Sequence, residues 1–290
     1  MCRTGVHRLP NVCSYTGALM KDVIKTEQHI PDRVMRYICE QTADQPVTRL
    51  GGALTCRFAY GRASETADAE EPGQDFLGIW MQRDLCSFVL CDGVGQSFQG
   101  DFAARYLGTS LLDWLAAETA PSLPRLQRKL ELWTGTATEQ LERETALEHV
   151  PALLRHVLED KKKLGSQTMY VCGQLKLPSR KRRGRMWLAW QGDSRVRLWS
   201  QSRECSIQSP EVSGVSDRWS TQKGIIGKGP HIYETSLPPG QPMRLQLYSD
   251  GLSDLDAVQE EVPDDELQLL LQAEHVGGLE DDAAFIELKW

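Results

Sequence analysis

The chain has 290 residues, 40% of them hydrophobic and 25% charged, enough to bury one substantial core or two smaller ones. Its formal net charge of -7 argues against nucleic acid or anionic lipid as a principal partner and for a protein or small molecule. No apolar run approaches the ~20 residues of a membrane helix, and no apolar core follows the early Arg3 and Arg8, so a cytoplasmic protein is expected.

Residues 1–50 are weakly periodic and read as an N-terminal extension of unassigned role; within them the amphipathic run Val34 to Ile38 suggests a short helix. The acidic stretch Glu65 to Gly73, closed by Pro72-Gly73, reads as an exposed loop leading to Asp75. Strand-like runs follow at Phe76 to Trp80 and Cys86 to Cys91. Then Ala103, Leu107, Leu111, Leu112 and Leu115 recur at helical spacing. Two more amphipathic helices are expected over Pro124 to Leu147, interrupted near Gly135, and Pro151 to Lys163.

The second half changes character. Short β-like segments at Thr168 to Gln174, Met186 to Trp190, Val196 to Trp199, Arg244 to Tyr248 and Ala283 to Leu288 suggest antiparallel sheet, with one helix at Asp264 to Gln272. The basic run Lys176 to Arg185, flanked by the turn formers Pro178 and Gly184, reads as a solvated hairpin tip. Trp187 and Trp190 read as sheet packing rather than a ligand box. Eight cysteines are scattered without a CxxC, so neither a zinc site nor a disulfide framework is indicated, and Cys86, Cys91 and Cys172 read as small buried residues.

The chemistry-bearing feature is a series of aspartates at or near the ends of apolar runs: Asp75, Asp92, Asp250 and Asp281. Carboxylates that terminate different strands can meet at one edge of a sheet. There, two charges ~4 Å apart repel by roughly 4 kcal/mol at a near-surface dielectric unless a cation lies between them. Hard divalent ions prefer such oxygen ligands, which makes this a candidate metal site. Any one Asp-Gly taken alone is usually just a turn.

In order, Asp92-Gly93-Val94-Gly95, Gly165-Ser166-Gln167-Thr168, Gly192-Asp193-Ser194-Arg195, Ser249-Asp250-Gly251-Leu252-Ser253-Asp254 and Asp281-Asp282-Ala283 resemble the metal-dependent serine/threonine protein phosphatases of type 2C, the PPM family, in their bacterial form. The resemblance spans about residues 52 to 290 and sets a domain over 51–290. It implies an α+β fold, a four-layer αββα sandwich of two antiparallel sheets flanked by helices, with two or three Mg²⁺ or Mn²⁺ ions at one end. By position, Asp92 would bridge two ions, Gly93 would lend its carbonyl to one, and Asp250 and Asp281 would hold the other. Asp75 would complete the site through bound water, and Asp193 and Asp254 would join Asp250 around a looser third ion. The implied nucleophile is metal-activated water, with no catalytic side chain forming an intermediate. The implied substrate is a phosphoserine or phosphothreonine protein, and a monomer is expected.

Three departures from the family pattern stand out. Glu70 and Glu71 occupy the place of an arginine that grips phosphate, leaving Arg62 or Arg57 to fold back for that role. The loop Val94-Gly95-Gln96-Ser97 lacks the histidine seen in many members, so metal-bound water would protonate the leaving group. The region between Arg195 and Ser249 is short, with Ser200 to Gly229 as the expected substrate-facing flap. The rival reading is a catalytically weak module that uses the same fold to bind a phosphoprotein or signalling partner. A structural domain whose aspartates only make turns is the third.

Overall fold

In the computed structural model the residues described are 28–29, 34–145, 152–205, 207, 216–272 and 278–290. The strands, in chain order, are β1 (Gln28–His29), β2 (Met35–Ile38), β3 (Gln45–Gly51), β4 (Thr55–Gly61), β5 (Phe76–Gln82), β6 (Leu85–Gly93) and β7 (Gln167–Lys176). They continue as β8 (Gly184–Gln191), β9 (Arg195–Ser200), β10 (Arg203–Cys205), β11 (Arg218–Ser220), β12 (Gly224–Ile226), β13 (His231–Leu237), β14 (Met243–Tyr248) and β15 (Ala283–Lys289). The helices are α1 (Ser64–Asp68), α2 (Gly100–Ala117), α3 (Leu123–Glu144), α4 (Ala152–Leu164) and α5 (Asp264–Gln272), with a 3-10 segment over Asp250–Ala257.

One sheet runs β1-β3-β4-β15-β14-β9-β10, and the other runs β12-β11-β7-β6-β5-β2 with β8 beside β7 and β13 beside β8. All pairings are antiparallel except the two-residue β1–β3 contact at an edge. The sheets face each other through Phe58, Leu77, Leu90, Leu198, Leu247 and Ile286, all within one buried apolar cluster. Helix α2 covers the second sheet, and the anticipated stripe Ala103, Leu107, Leu111, Leu112 and Leu115 is fully buried beneath it. Burying each of the four leucines contributes roughly 1.5–3 kcal/mol. Helix α5 and the 3-10 segment lie against β3, β4 and β15 of the first sheet, giving the αββα layering expected.

Several expectations are corrected. Val34 to Ile38 is not helical: Met35–Ile38 forms β2 and pairs with β5, because five residues are too few to fix a period and an open sheet edge supplies backbone partners. Residue 51 is no boundary either, since it is the last residue of β3, and β2 and β3 add an edge strand to one sheet and an inner strand to the other. The acidic loop begins with a helical turn, α1, before its exposed stretch. Helix α3 continues through Gly135, which faces open space and meets nothing that would break it.

Trp187 and Trp190 are buried in the sheet, as are Cys39, Cys56, Cys86, Cys91 and Cys172. Cys2, Cys13 and part of the expected flap (206 and 208–215) lie outside the described residues. No helix among the described residues is long and apolar enough to cross a membrane.

Candidate active site

Strand direction brings the acids together. The β5–β6 register ends at Phe76↔Cys91, so Asp75 and Asp92 come next on either side of the same pair. Asp92 and Gly93 themselves pair with Met169 and Thr168 of β7, and the Thr168 hydroxyl donates to the Asp92 carbonyl at 2.8 Å. In the first sheet Tyr248 of β14 pairs with both Phe285 and Arg195. That places Asp250 two residues beyond β14, Asp281 two residues before β15, and Asp193 two residues before β9, all at one pole. A Cβ on Gly251 would strike the Asp282 carbonyl, a measure of how closely the two loops approach.

Exposure grades outward across the cluster. Asp75 is 2% exposed, Asp92 is half-buried, and Asp250 and Asp281 are open to solvent. Burial, then the charge of Asp92, pushes Asp75 well above the usual carboxylate range. Burial also raises Asp92, with Asp250, Asp193, Asp281 and Asp282 adding to it. Asp250 is raised by burial and by Asp193, and Asp281 by burial and by Asp250 and Asp282. These mutual effects put six carboxyl groups within electrostatic reach of one another. Asp254 lines a cleft of about 570 Å³ with Asp250, Asp281, Glu266 and Glu280 beside this edge.

Among the described residues no three His, Cys, Asp or Glu side chains close to ligand-holding geometry. The set nevertheless suits a hard divalent cation: every donor is oxygen, and Asp75 Oδ2 and Asp193 Oδ1 are buried without a hydrogen-bond partner. Such orphaned acceptors are costly unless a cation or water satisfies them.

The residues that hold the acids in place were not singled out from the sequence. Asp282, 4% exposed, accepts from Ala63 N at 2.7 Å and from Gln74 N, so it ties the segment before Asp75 to β15. Gln41 Nε2 donates to the carbonyls of Gly73, Asp75 and Asp101 at 3.0, 3.2 and 3.2 Å. Ser249 accepts from Ala284 N at 2.9 Å, and its side chain also hydrogen-bonds Asp75. Arg195 pairs with Asp256 at 3.1 Å and donates to the Asp193 carbonyl at 2.6 Å, which fixes the loop carrying that acid. Ser249 and Arg195 stand inside the quoted motifs, whereas Gln41 lies in a region with no readable pattern.

Gly93 has a packing role. A Cβ there would come 2.6 Å from the Gly100 carbonyl and 2.7 Å from that of Gln74, so only glycine lets β6 pass between α2 and the Asp75 segment. Both candidate arginines have partners within the protein. Arg57 is 1% exposed and paired with Glu287 and Asp264 in the core. Arg62 bonds Asp44 at 3.0 Å and the Glu71 carbonyl.

No protein-family model matches the chain, and no curated protein matches it in sequence. Solved structures do share its fold. The Mycobacterium tuberculosis serine/threonine phosphatase PstP/Ppp has TM-score 0.54 at 17% identity, with 81% of this chain and 97% of that one covered. The Staphylococcus aureus serine/threonine phosphatase Stp1 has TM-score 0.52 at 19% identity, with 84% and 97% covered. RsbX, solved in complex with magnesium, has TM-score 0.50 at 12% identity, with 84% and 98% covered.

Proposed function

We propose that this chain, which folds as the bacterial type 2C serine/threonine phosphatases do, hydrolyses phosphoserine and phosphothreonine in proteins with the help of Mg²⁺ or Mn²⁺. One observation carries the reading: acids from both sheets meet at a single pole, and their carboxyl groups raise one another's pKa. Asp92, the Gly93 carbonyl, Asp250 and Asp281 would hold two ions, with Asp75 behind them. Asp193 and Asp254 would hold a third at the solvent side. When bound, such ions lower the pKa of a coordinated water and offset charge on phosphoryl oxygens.

The chain's own contribution is placement. Asp282 and Gln41 hold the Asp75 segment, and Arg195 holds the Asp193 loop. The nucleophile in this reading is water rather than a side chain, and burial pushes the Cys91 and Cys172 thiols up, away from the thiolate form.

A second reading, a phosphoprotein-binding module with little turnover, is favoured by the engagement of Arg62 with Asp44. Hydrolysis of an aryl phosphate with Mn²⁺ added or chelated separates the two. Metal-dependent turnover abolished by Asp92→Asn and by Asp250→Asn supports the enzyme; metal binding without turnover in the wild type rejects it for the binding module.

A further inference from the structure

We propose that the pole opposite the acids is a docking site for an acidic peptide segment of a partner protein, anchored by one apolar side chain. Strand β7 runs from the acid pole to this one, so its ten residues set the two about 30 Å apart. The proposal therefore does not rest on the hydrolytic reading.

The first observation is charge. The β7–β8 hairpin, Lys176 to Arg185, carries six cations and no acid in a chain of net charge -7. It is an ordered turn, with Ser179 N donating to the Arg182 carbonyl at 2.8 Å. Arg185 is committed to Glu234 at 2.7 Å and the Pro121 carbonyl. Lys176, Arg180, Lys181, Arg182 and Arg183 are exposed, and no acid among the described residues pairs with them. The fold thus gathers like charges that repel each other and leaves their field open to an anionic partner.

A second, independent observation lies beside the hairpin. A groove of about 280 Å³ is lined by Ala53, Leu177, Pro178, Gln241, Pro242 and Trp290. Its walls are mostly apolar. The volume falls below the ~300–1,000 Å³ of small-molecule sites, which suits a single side chain rather than a cofactor. An extended segment crossing both features would seat an apolar residue in the groove and set carboxylates against Arg180 to Arg183.

The tip itself decides against a lipid surface. Ser179 to Arg183 contains no large apolar side chain to enter a bilayer, and the apolar surface sits in a recess beside the tip. The tip also has no aromatic face on which a nucleic-acid base could stack.

The test is fluorescence anisotropy with the full chain in chelator, using a labelled 12-residue peptide of alternating Glu and Gly with one central Leu. Binding is expected to fall steeply with salt, and to weaken at least tenfold in the quadruple variant Arg180→Glu, Lys181→Glu, Arg182→Glu, Arg183→Glu. The milder pair Lys181→Gln with Arg183→Gln should give a smaller loss and guards against misfolding of the reversal. Ala53→Trp, which fills the groove, should cost at least threefold, and so should replacing the peptide's Leu by Ser. Aryl phosphate hydrolysis by these variants should equal the wild type's. Unchanged peptide affinity in the charge variants overturns the proposal, as does wild-type binding to phosphatidylserine vesicles or to a single-stranded oligonucleotide without binding to the peptide.

Discussion

Replacing Asp92 by Asn removes one charge from the cluster and keeps its shape, so the metal-free protein should become more stable while hydrolysis is lost. The β5–β6 register sets Asp75 across from Asp92, and directly opposed residues lie about 5 Å apart. Two full charges at that distance and an effective dielectric near 20 repel by about 3 kcal/mol. Both groups have folded pKa values raised above the unfolded ~3.9, so each binds its proton more tightly in the folded state. The stability they lend is complete below about pH 4 and is lost as pH rises through the folded pKa values. At pH 8 this repulsion is removed by Asp92→Asn, which sets a gain of up to about 3 kcal/mol. That corresponds to about 2–4 °C in melting temperature per kcal/mol for a domain of this size. The assay is thermal melting in chelator at pH 8 and pH 4, then with Mn²⁺ at pH 8. The variant should melt higher than the wild type in chelator at pH 8, the gap should close at pH 4, and Mn²⁺ should raise only the wild type. A variant no more stable than the wild type at pH 8 in chelator refutes the electrostatic account of this site.

Gly93→Ala should destabilise by about 1–3 kcal/mol, seen in denaturant melts, because its methyl would press on two backbone carbonyls that cannot retreat. Asp282→Asn keeps the acceptor for Ala63 N but turns an amide toward Gln74 N; a loss of about 1–3 kcal/mol is expected, with a fall in kcat as the Asp75 segment loosens. Cys91→Ser places a hydroxyl in a fully buried strand position and should cost about 1–3 kcal/mol, yet leave kcat within a few-fold. Complete loss of kcat in folded, metal-binding Cys91→Ser protein would contradict hydrolysis without a side-chain nucleophile.

The strands and the acids were legible because their signals are local. Phe76 to Trp80, Cys86 to Cys91 and Ala283 to Leu288 announce themselves by apolar runs, and each acid follows or precedes one. The edge strand β2 was not, since five amphipathic residues fit a helical face and a strand equally well. Asp281 and Asp282 are chemically identical neighbours in sequence, and only the pleat separates the one facing the cleft from the one bonded to Ala63 and Gln74. Arg62 was placed by distance along the chain, but Asp44, which captures it, sits in a stretch with no periodic signal. Partners 18 residues apart across a loop leave no trace in spacing.

The tether from Asp282 to the lead-in of β5 makes the two sheets move as one mechanism at this pole. Any displacement at the start of β15 shifts Asp281 directly and drags Asp75 through the Gln74 amide, so opposite walls of the cleft travel in step.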